Sequence, residues 1–157
     1  MPVCVEMAPP DTNDWLDALK DAGCESLMLN LEIWDRDVRV RLMPGKSKIT
    51  RERYLDALAY AVKIFGVHQV SSQVIIGLEP IENTLEAMAA IADVGAVPLP
   101  TVFRPLRNTP LVESPTPRVE DVLRVFSANL EILHTRKLFA DKTRAGCALC
   151  GACSSHR

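Results

Sequence analysis

Residues 62–78, VKIFGVHQVSSQVIIGL, pass from a helical pattern to a β-forming run across a single glycine. Apolar residues before Gly66 recur at helical spacing, whereas the residues after it are rich in β-branched and other apolar side chains. A glycine at the end of a helix can take the left-handed conformation without the steric penalty of a Cβ atom. The stretch therefore predicts a helix that ends at Gly66 and a buried strand that follows it.

The same arrangement occurs twice more along the chain. Residues 19–34, LKDAGCESLMLNLEIW, and residues 91–106, IADVGAVPLPTVFRPL, each place a glycine between a helical pattern and an apolar run. Residues 2–7, PVCVEM, predict a first strand, and the apolar spacing of residues 119–133 predicts a last helix. Strands that alternate with helices in this way lie parallel. The sequence therefore predicts an α/β fold with about four strands and four helices, either half of a (β/α)8 barrel or a small open sheet.

The composition is typical of one globular domain. The 157 residues are 48% hydrophobic and carry 18 basic and 20 acidic side chains, which gives a formal net charge of −2. This balance leaves no broad basic surface, so we expect neither nucleic acid nor a membrane as a partner. The first residues lack the pattern of a signal peptide, and the cysteine usage fits a reducing compartment. We therefore expect a cytoplasmic location.

Polar side chains interrupt the second predicted strand near its end. Asn30 and Glu32 are two residues apart, so the alternation of a regular strand would turn both side chains to one face. An amide and a carboxylate placed together could bind a hydroxyl or an amine of a small molecule. The alternative is that Glu32 caps the next segment or pairs with Arg36 or Arg39. The spacing leaves both interpretations open.

Two other strand ends carry candidate binding residues. Gly77 follows the third predicted strand, where a glycine lets a ligand approach the backbone, although the turn itself could also require it. Arg104 ends the fourth strand, where its guanidinium group could hold a carboxylate or a phosphate. A surface ion pair is the alternative for Arg104.

The last twelve residues, 146–157, read GCALCGACSSHR and form a candidate metal site. Cys147, Cys150 and Cys153 follow a C-x2-C-x2-C spacing, which suits thiolate ligation of an iron–sulfur cluster. His156 could be a fourth ligand, and zinc in a Cys3His site is the competing metal. Unligated thiols at a disordered terminus are the remaining alternative.

Three segments, taken in order, resemble the later part of radical S-adenosylmethionine (radical SAM) enzymes, nearest to the biotin synthase and lipoyl synthase group. They are residues 27–66, 71–88 and 97–111, which contain the runs LMLNLEIW, SSQVIIGLEP and FRPLRNTPL. The resemblance implies half of a partial TIM-type barrel and a site for S-adenosylmethionine at the ends of its strands. The residues that it implies for contact with this cofactor are Asn30, Glu32, Ser72, Ile75, Gly77 and Arg104.

The chain lacks the C-x3-C-x2-C motif of the family, whose 4Fe-4S cluster supplies the electron that cleaves S-adenosylmethionine. The resemblance therefore implies a C-terminal part that is inactive alone and that acts on a small-molecule substrate once the missing N-terminal half supplies the cluster. A half barrel leaves two sheet edges unpaired, so we expect it to associate either with the missing half or with a second copy. Residues 1–140 would form the partial barrel, and residues 141–157 a metal-binding tail with an auxiliary cluster. The alternative function is a non-catalytic iron–sulfur or zinc-binding carrier or subunit.

Overall fold

A computed structural model of the protein describes residues 1–154. Its strands are all parallel and form one sheet in which each strand lies beside the next one in the chain. This sequential order is the order of a βα barrel, whereas a doubly wound open sheet reverses direction at a switch point. The predicted α/β fold is therefore confirmed. The strands are β1 (Cys4–Glu6), β2 (Ser26–Met28), β3 (Val70–Ile76) and β4 (Val97–Val102).

The helices alternate with the strands as predicted, and two short helices add to them. None of the helices within residues 1–154 is long and apolar enough to cross a membrane. The predicted stop at Gly66 is confirmed, since this residue follows the last helical residue with φ of 98°. The helices are α1 (Asp14–Asp21), α2 (Arg36–Leu42), α3 (Arg51–Phe65), α4 (Ile81–Asp93), α5 (Val119–Arg136) and α6 (Cys147–Cys150).

One face of the sheet is packed against the helices. Leu27 on β2 pairs with Val70 on β3, and both are fully buried in the main core with Leu58 of α3 and Met88 of α4. Burial of such side chains stabilises the fold by about 1.5–3 kcal/mol each. This packing fixes the sheet and so fixes the positions of the loops that follow its strands.

The opposite face of the sheet, which we call the inner face, is covered in part by the end of the described chain. Met28 on β2 and Val97 on β4 are both register partners of Ser71 on β3, so their side chains lie on the same face, the inner one. Both belong to a second apolar cluster that includes Ala148 of α6. The tail therefore packs against the body of the protein over part of the inner face.

Helix α5 leaves part of its apolar surface exposed. The apolar spacing of residues 119–133 correctly predicted a helix here. Leu123 and Leu130 belong to that spacing, and both side chains are more than half exposed. The helix buries Val125, Asn129 and Leu133 against α4 and β4, so only one stripe of it meets a neighbour within the described residues.

Candidate functional site

The second strand contains a β-bulge at the position of the predicted cofactor motif. Leu27 pairs with Val70, whereas Glu32 pairs with Val74. Five residue steps on the β2 side therefore face four steps on the β3 side, which is the extra residue that defines a bulge. The alternation argument that placed Asn30 and Glu32 on one face does not hold through such an interruption.

Two side chains replace the ladder hydrogen bonds that the bulge removes. The Oδ1 atom of Asn30 accepts from the backbone N–H of Gln73 at 3.0 Å, and the Oγ atom of Ser72 accepts from the N–H of Leu31 at 3.0 Å. Asn30 also donates from Nδ2 to Oε1 of Glu6 at 2.7 Å. Because Asn30 and Ser72 are buried, these bonds supply partners for a buried N–H at Leu31 and a part-buried N–H at Gln73. Both side chains therefore shape the strand end.

The carboxylate of Glu32 has a different partner from Asn30. Its Oε1 atom lies 2.6 Å from Nζ of Lys46, which belongs to the connection after α2. Glu32 has φ of 68°, an uncommon backbone conformation for a residue with a side chain. Glu32 pairs with Lys46, and not with Arg36 or Arg39, among the described residues. Arg39 is buried and donates to backbone carbonyls, including that of Leu31 at 2.7 Å. The site thus holds a carboxylate that already binds an ammonium group.

Ile75 and Thr101 lie on the inner face near the carboxyl-terminal ends of their strands. They are register partners on β3 and β4, and Ile75 is half-buried. The Oγ1 atom of Thr101 is buried and has no hydrogen-bond partner among the described residues. Thr101 was not predicted as a site residue, because nothing in the sequence marks a threonine inside a strand. Ser72 is fully buried, and its hydroxyl is occupied by Leu31, so its side chain does not join this surface.

Gly77 makes room for another part of the protein. It has φ of 103°, and a Cβ atom at this position would lie 2.8 Å from Cβ of Pro117. Pro117 belongs to the segment that leads into α5. Pro117 occupies the space where a Cβ of residue 77 would stand, and contact of the Gly77 backbone with a ligand stays a prediction.

The role of Glu79 was also not predicted from the sequence. Its Oε2 atom accepts from the backbone N–H groups of Trp34 at 2.9 Å and Asp35 at 2.7 Å. Burial raises the pKa of Glu79 above its usual value, although these hydrogen bonds act in the opposite direction. Glu79 thus ties the loop after β3 to the loop after β2.

Arg104 lines a groove that the other predicted cofactor residues do not line. The groove has a volume of about 430 Å³ and lies between the end of α2 and the segment after β4. Helix α2 follows β2, and the segment that lines the groove follows β4, so the groove lies at the carboxyl-terminal edge of the sheet. Parallel α/β proteins bind ligands at this edge. Its lining residues are Arg41, Leu42, Phe103, Arg104, Leu106, Thr109, Pro110 and Leu111.

The cysteines of the tail are not gathered into a metal site in this structure. Cys147 and Cys150 begin and end α6, and Cys150 and Cys153 are exposed. Within residues 1–154, no three histidine, cysteine or acidic side chains are placed so that they could hold one ion. His156 lies outside the described residues. As placed, the three cysteines do not fit a cluster.

The tail docks at the opposite edge of the sheet from the candidate cofactor residues. The hydroxyl of Thr143 donates to the carbonyl of His68 at 2.6 Å, and the N–H of Arg144 donates to Oε1 of Gln69 at 3.0 Å. Arg144 also pairs with Glu25 at 3.0 Å. His68 and Gln69 precede β3, and Glu25 precedes β2. The tail therefore lies at the amino-terminal edge of the sheet.

Comparisons with known proteins agree with the fold. No family model matches the chain. The chain is 28% identical over 120 residues to bacteriochlorophyllide c C-7(1)-hydroxylase of Chlorobaculum limnaeum, a match that covers 75% of this chain and 30% of the relative. The structure of this chain is similar to that of coproporphyrinogen III oxidase (HemN) of Escherichia coli, described as a radical SAM enzyme, with a TM-score of 0.66 and 18% identity. That match covers 86% of this chain and 32% of HemN.

The likeness to HemN shows the fold, because the four βα units have the arrangement of part of its radical SAM barrel, as the sequence resemblance implied. The chain spans about a third of the length of each protein. Neither comparison bears on the nearer grouping with biotin synthase and lipoyl synthase, which stays a prediction.

Proposed function

We propose that the chain is the C-terminal part of a radical SAM enzyme and contributes contacts to S-adenosylmethionine and to a small-molecule substrate. The observation that carries this proposal is the likeness of the βα sheet to the HemN barrel over 86% of the chain. The carboxyl-terminal edge of the sheet, where Glu32, Ile75 and Thr101 lie, is the edge at which barrels of this type carry their sites.

The residues at this edge fit the cofactor in two respects. Glu32 already holds the ammonium group of Lys46, so its carboxylate suits the amino group of S-adenosylmethionine. Ile75 offers an apolar surface for the adenine, and the hydroxyl of Thr101 beside it has no hydrogen-bond partner among the described residues. This hydroxyl is buried, so it would bond a ring nitrogen only after a shift of the neighbouring side chains exposes it. When bound and cleaved, the cofactor supplies a radical that removes hydrogen from the substrate. In this proposal the protein binds and orients, and Asn30 and Ser72 hold the strand end in shape.

We further propose that additional βα units complete the barrel and carry the 4Fe-4S cluster. The exposed apolar side chains of α5, with Leu123 at 61% and Leu130 at 57%, support a neighbour on that helix. Strands β1 and β4 each have one partner strand within the described residues, which leaves one edge of each unpaired. The missing N-terminal half would cover these surfaces, and a second copy of the chain is the other candidate.

The substrate class that we propose is a tetrapyrrole that carries at least one carboxylate. The names of the two similar proteins, a bacteriochlorophyllide hydroxylase and a coproporphyrinogen oxidase, each denote a tetrapyrrole. Tetrapyrroles are large, mostly apolar macrocycles, and many carry carboxylic acid side chains. The proposal is thus a tetrapyrrole or a molecule of similar chemistry.

The experiment that tests the enzymatic proposal measures 5′-deoxyadenosine. The coding sequence that adjoins Met1 is read first, and we expect it to encode the C-x3-C-x2-C motif. The two parts are produced together, reconstituted with iron and sulfide without oxygen, and supplied with dithionite and S-adenosylmethionine. We expect product from the combined protein and none from this chain alone. The absence of product from a combined protein that has loaded its cluster would disprove the proposal.

A matched pair of variants tests the cofactor contact. Glu32→Gln keeps the shape of the side chain but removes the charge that would bind the amino group, so we expect about tenfold weaker binding of S-adenosylmethionine. Glu82→Gln is the control, because Glu82 forms an exposed ion pair with Arg124 on the surface. Equal binding of the cofactor by the two variants would show that Glu32 does not contact it.

The second candidate function is a non-catalytic iron–sulfur or zinc carrier or subunit in a reducing compartment such as the cytoplasm. The C-x2-C-x2-C spacing of Cys147, Cys150 and Cys153 favours it, and loading would require the tail to bring the three thiolates together. The test is anaerobic uptake of iron or zinc by the wild type and by a variant in which all three cysteines are serine. Equal uptake by both proteins would exclude a metal site on these cysteines.

A further inference from the structure

The groove beside Arg104 combines an apolar wall with two cations. Leu42, Phe103 and Leu106 supply apolar surface, while Arg41 and Arg104 bring a guanidinium group to it from two different segments. Arg41 comes from α2, and Arg104 follows β4. The groove therefore presents positive charge and apolar surface to the same ligand.

The two arginines of the groove differ from most arginines of the protein. The guanidinium groups of Arg41 and Arg104 have no hydrogen bond or ion pair with any residue that the structure describes. By contrast, arginines elsewhere on the surface pair with carboxylates, as Arg118 does with Asp121 at 2.9 Å. An unpaired guanidinium group is suited to a carboxylate of a ligand, since the two can form parallel hydrogen bonds. Two of them beside one apolar groove suit a ligand with at least two carboxylates.

We propose that this groove binds the carboxylate groups of the substrate, with Arg41 and Arg104 as the residues that select an acidic substrate over its neutral counterpart. This inference rests on the proposed function, because it places the substrate at the mouth of the same barrel edge. The apolar wall formed by Leu42, Phe103 and Leu106 contacts the ring of the molecule. A phosphate ligand would leave this wall without a partner, so the groove favours an apolar carboxylic acid.

The test compares an acidic probe with its neutral methyl ester. The probes are a porphyrin that bears four propionate groups and the tetramethyl ester of the same porphyrin, and binding to the chain is followed by fluorescence. We expect the wild type to bind the acid at least about tenfold more tightly than the ester, the usual size of one charge-assisted hydrogen bond. Equal affinity for the acid and the ester would overturn the proposal.

Substitutions locate the binding. Arg41→Gln and Arg104→Gln should each weaken binding of the acid by about tenfold and leave binding of the ester unchanged. Arg107→Gln is the matched control, because Arg107 is an exposed arginine of the same segment that does not line the groove. A loss with Arg107→Gln as large as the losses with the other two variants would show that the acid binds by surface charge alone, and this would overturn the assignment.

The measurement is independent of the proposed chemistry. Porphyrin binding needs neither S-adenosylmethionine nor a cluster, whereas the proposed function is judged by 5′-deoxyadenosine. Selective binding of the acid through Arg41 and Arg104 supports the groove even if the combined protein makes no 5′-deoxyadenosine. If the combined protein forms 5′-deoxyadenosine but the chain binds the acid and the ester equally, the groove proposal is refuted and the proposed function stays in place.

Discussion

Asn30 and Gln73 are joined by a hydrogen bond of 3.0 Å in which a side-chain oxygen of one strand accepts from the backbone N–H of the next. The side-chain oxygen of Asn30 therefore accepts, at the bulge, a hydrogen bond that a backbone carbonyl accepts in a regular sheet. The asparagine of the N-x-E motif is thus a structural residue here, and the bulge that it supports sets the position of Glu32.

Replacement of Asn30 tests this role. Asn30→Ala leaves the buried N–H of Gln73 without an acceptor, so we expect the free energy of unfolding to fall by about 1–3 kcal/mol. Urea unfolding measures the change. Asn83→Ala serves as the control, because Asn83 bonds Asp35 at 3.0 Å from a half-buried position. A smaller loss for Asn30→Ala than for Asn83→Ala would contradict a structural role.

The sequence predicted the order of the elements better than the contacts of its polar residues. Helix stops such as Gly66 depend on local conformation, which a single stretch of chain reveals. The bulge at Asn30 depends on the register between two strands, which are more than forty residues apart at Asn30 and Gln73. The partner of Gly77, Pro117, is likewise distant in the chain. Such contacts follow from tertiary packing and have no local signal.

Gly77 should be intolerant of any side chain, for two separable reasons. Gly77→Ala brings a Cβ atom to 2.8 Å from Pro117 and also strains a backbone with φ of 103°. Gly66→Ala carries the strain alone, since φ is 98° and the space beside it is open. We expect a loss of about 1–2 kcal/mol for Gly66→Ala and a larger loss for Gly77→Ala.

A third glycine provides the control for these variants. Gly45 has φ of −70° and open space beside it, so Gly45→Ala should leave the stability almost unchanged. Thermal unfolding ranks the three variants. Equal effects of Gly66→Ala and Gly77→Ala would mean that Pro117 moves aside without cost.

Glu79 should make the stability fall as the pH rises. Burial raises the pKa of Glu79 in the folded state above the ordinary value of 4.5, so the folded protein holds this proton more tightly than the unfolded chain. The contribution is present below pH 4.5 and is lost as the pH rises through the folded pKa. Glu79→Gln keeps an oxygen for the N–H groups of Trp34 and Asp35 but cannot ionise.

The stability of the wild type should therefore decline relative to Glu79→Gln as the pH rises above 4.5 and through the folded pKa. Urea unfolding at several pH values measures this difference. Glu131→Gln, on the exposed surface of α5, controls for the loss of one carboxylate. A difference between the wild type and Glu79→Gln that stays constant with pH would contradict the effect of burial.

His68 should make the protein less stable in acid. Burial, and then the nearby charge of Lys142, lower the pKa of His68 below 6.5, so the folded state holds this proton less tightly than the unfolded chain. The stability is therefore complete above pH 6.5 and falls as the pH drops toward the folded pKa. In its neutral form His68 accepts from the N–H of Phe139 at 3.1 Å, a bond that protonation of Nδ1 abolishes.

Hydrogen exchange and unfolding test this together. As the pH falls from above 6.5 toward the folded pKa of His68, we expect the amide of Phe139 to lose protection and the wild type to lose stability relative to His68→Asn. Asparagine suits the control because it tolerates the φ of 72° at this position and does not titrate. Parallel stability curves for the two proteins would rule out His68 as the titrating group.

The five cysteines should differ widely in reactivity. Burial, followed by the nearby Cys24, Cys147 and Glu6, raises the pKa of Cys4 to about 11. At about pH 8 only about one molecule in a thousand therefore carries Cys4 as the reactive thiolate. We expect iodoacetamide to label the exposed Cys150 rapidly and Cys4 very slowly, with mass spectrometry as the readout.

Glu6 gives this prediction a sharper form, because it disfavours the thiolates of both Cys4 and Cys147. Glu6→Gln removes that charge, keeps an oxygen that can accept from Asn30, and should speed the labelling of both cysteines. Glu113→Gln, an exposed residue of the segment before α5, should change neither rate. If Glu6→Gln leaves both rates unchanged, burial alone protects Cys4 and Cys147, and the charge of Glu6 has no part in their reactivity.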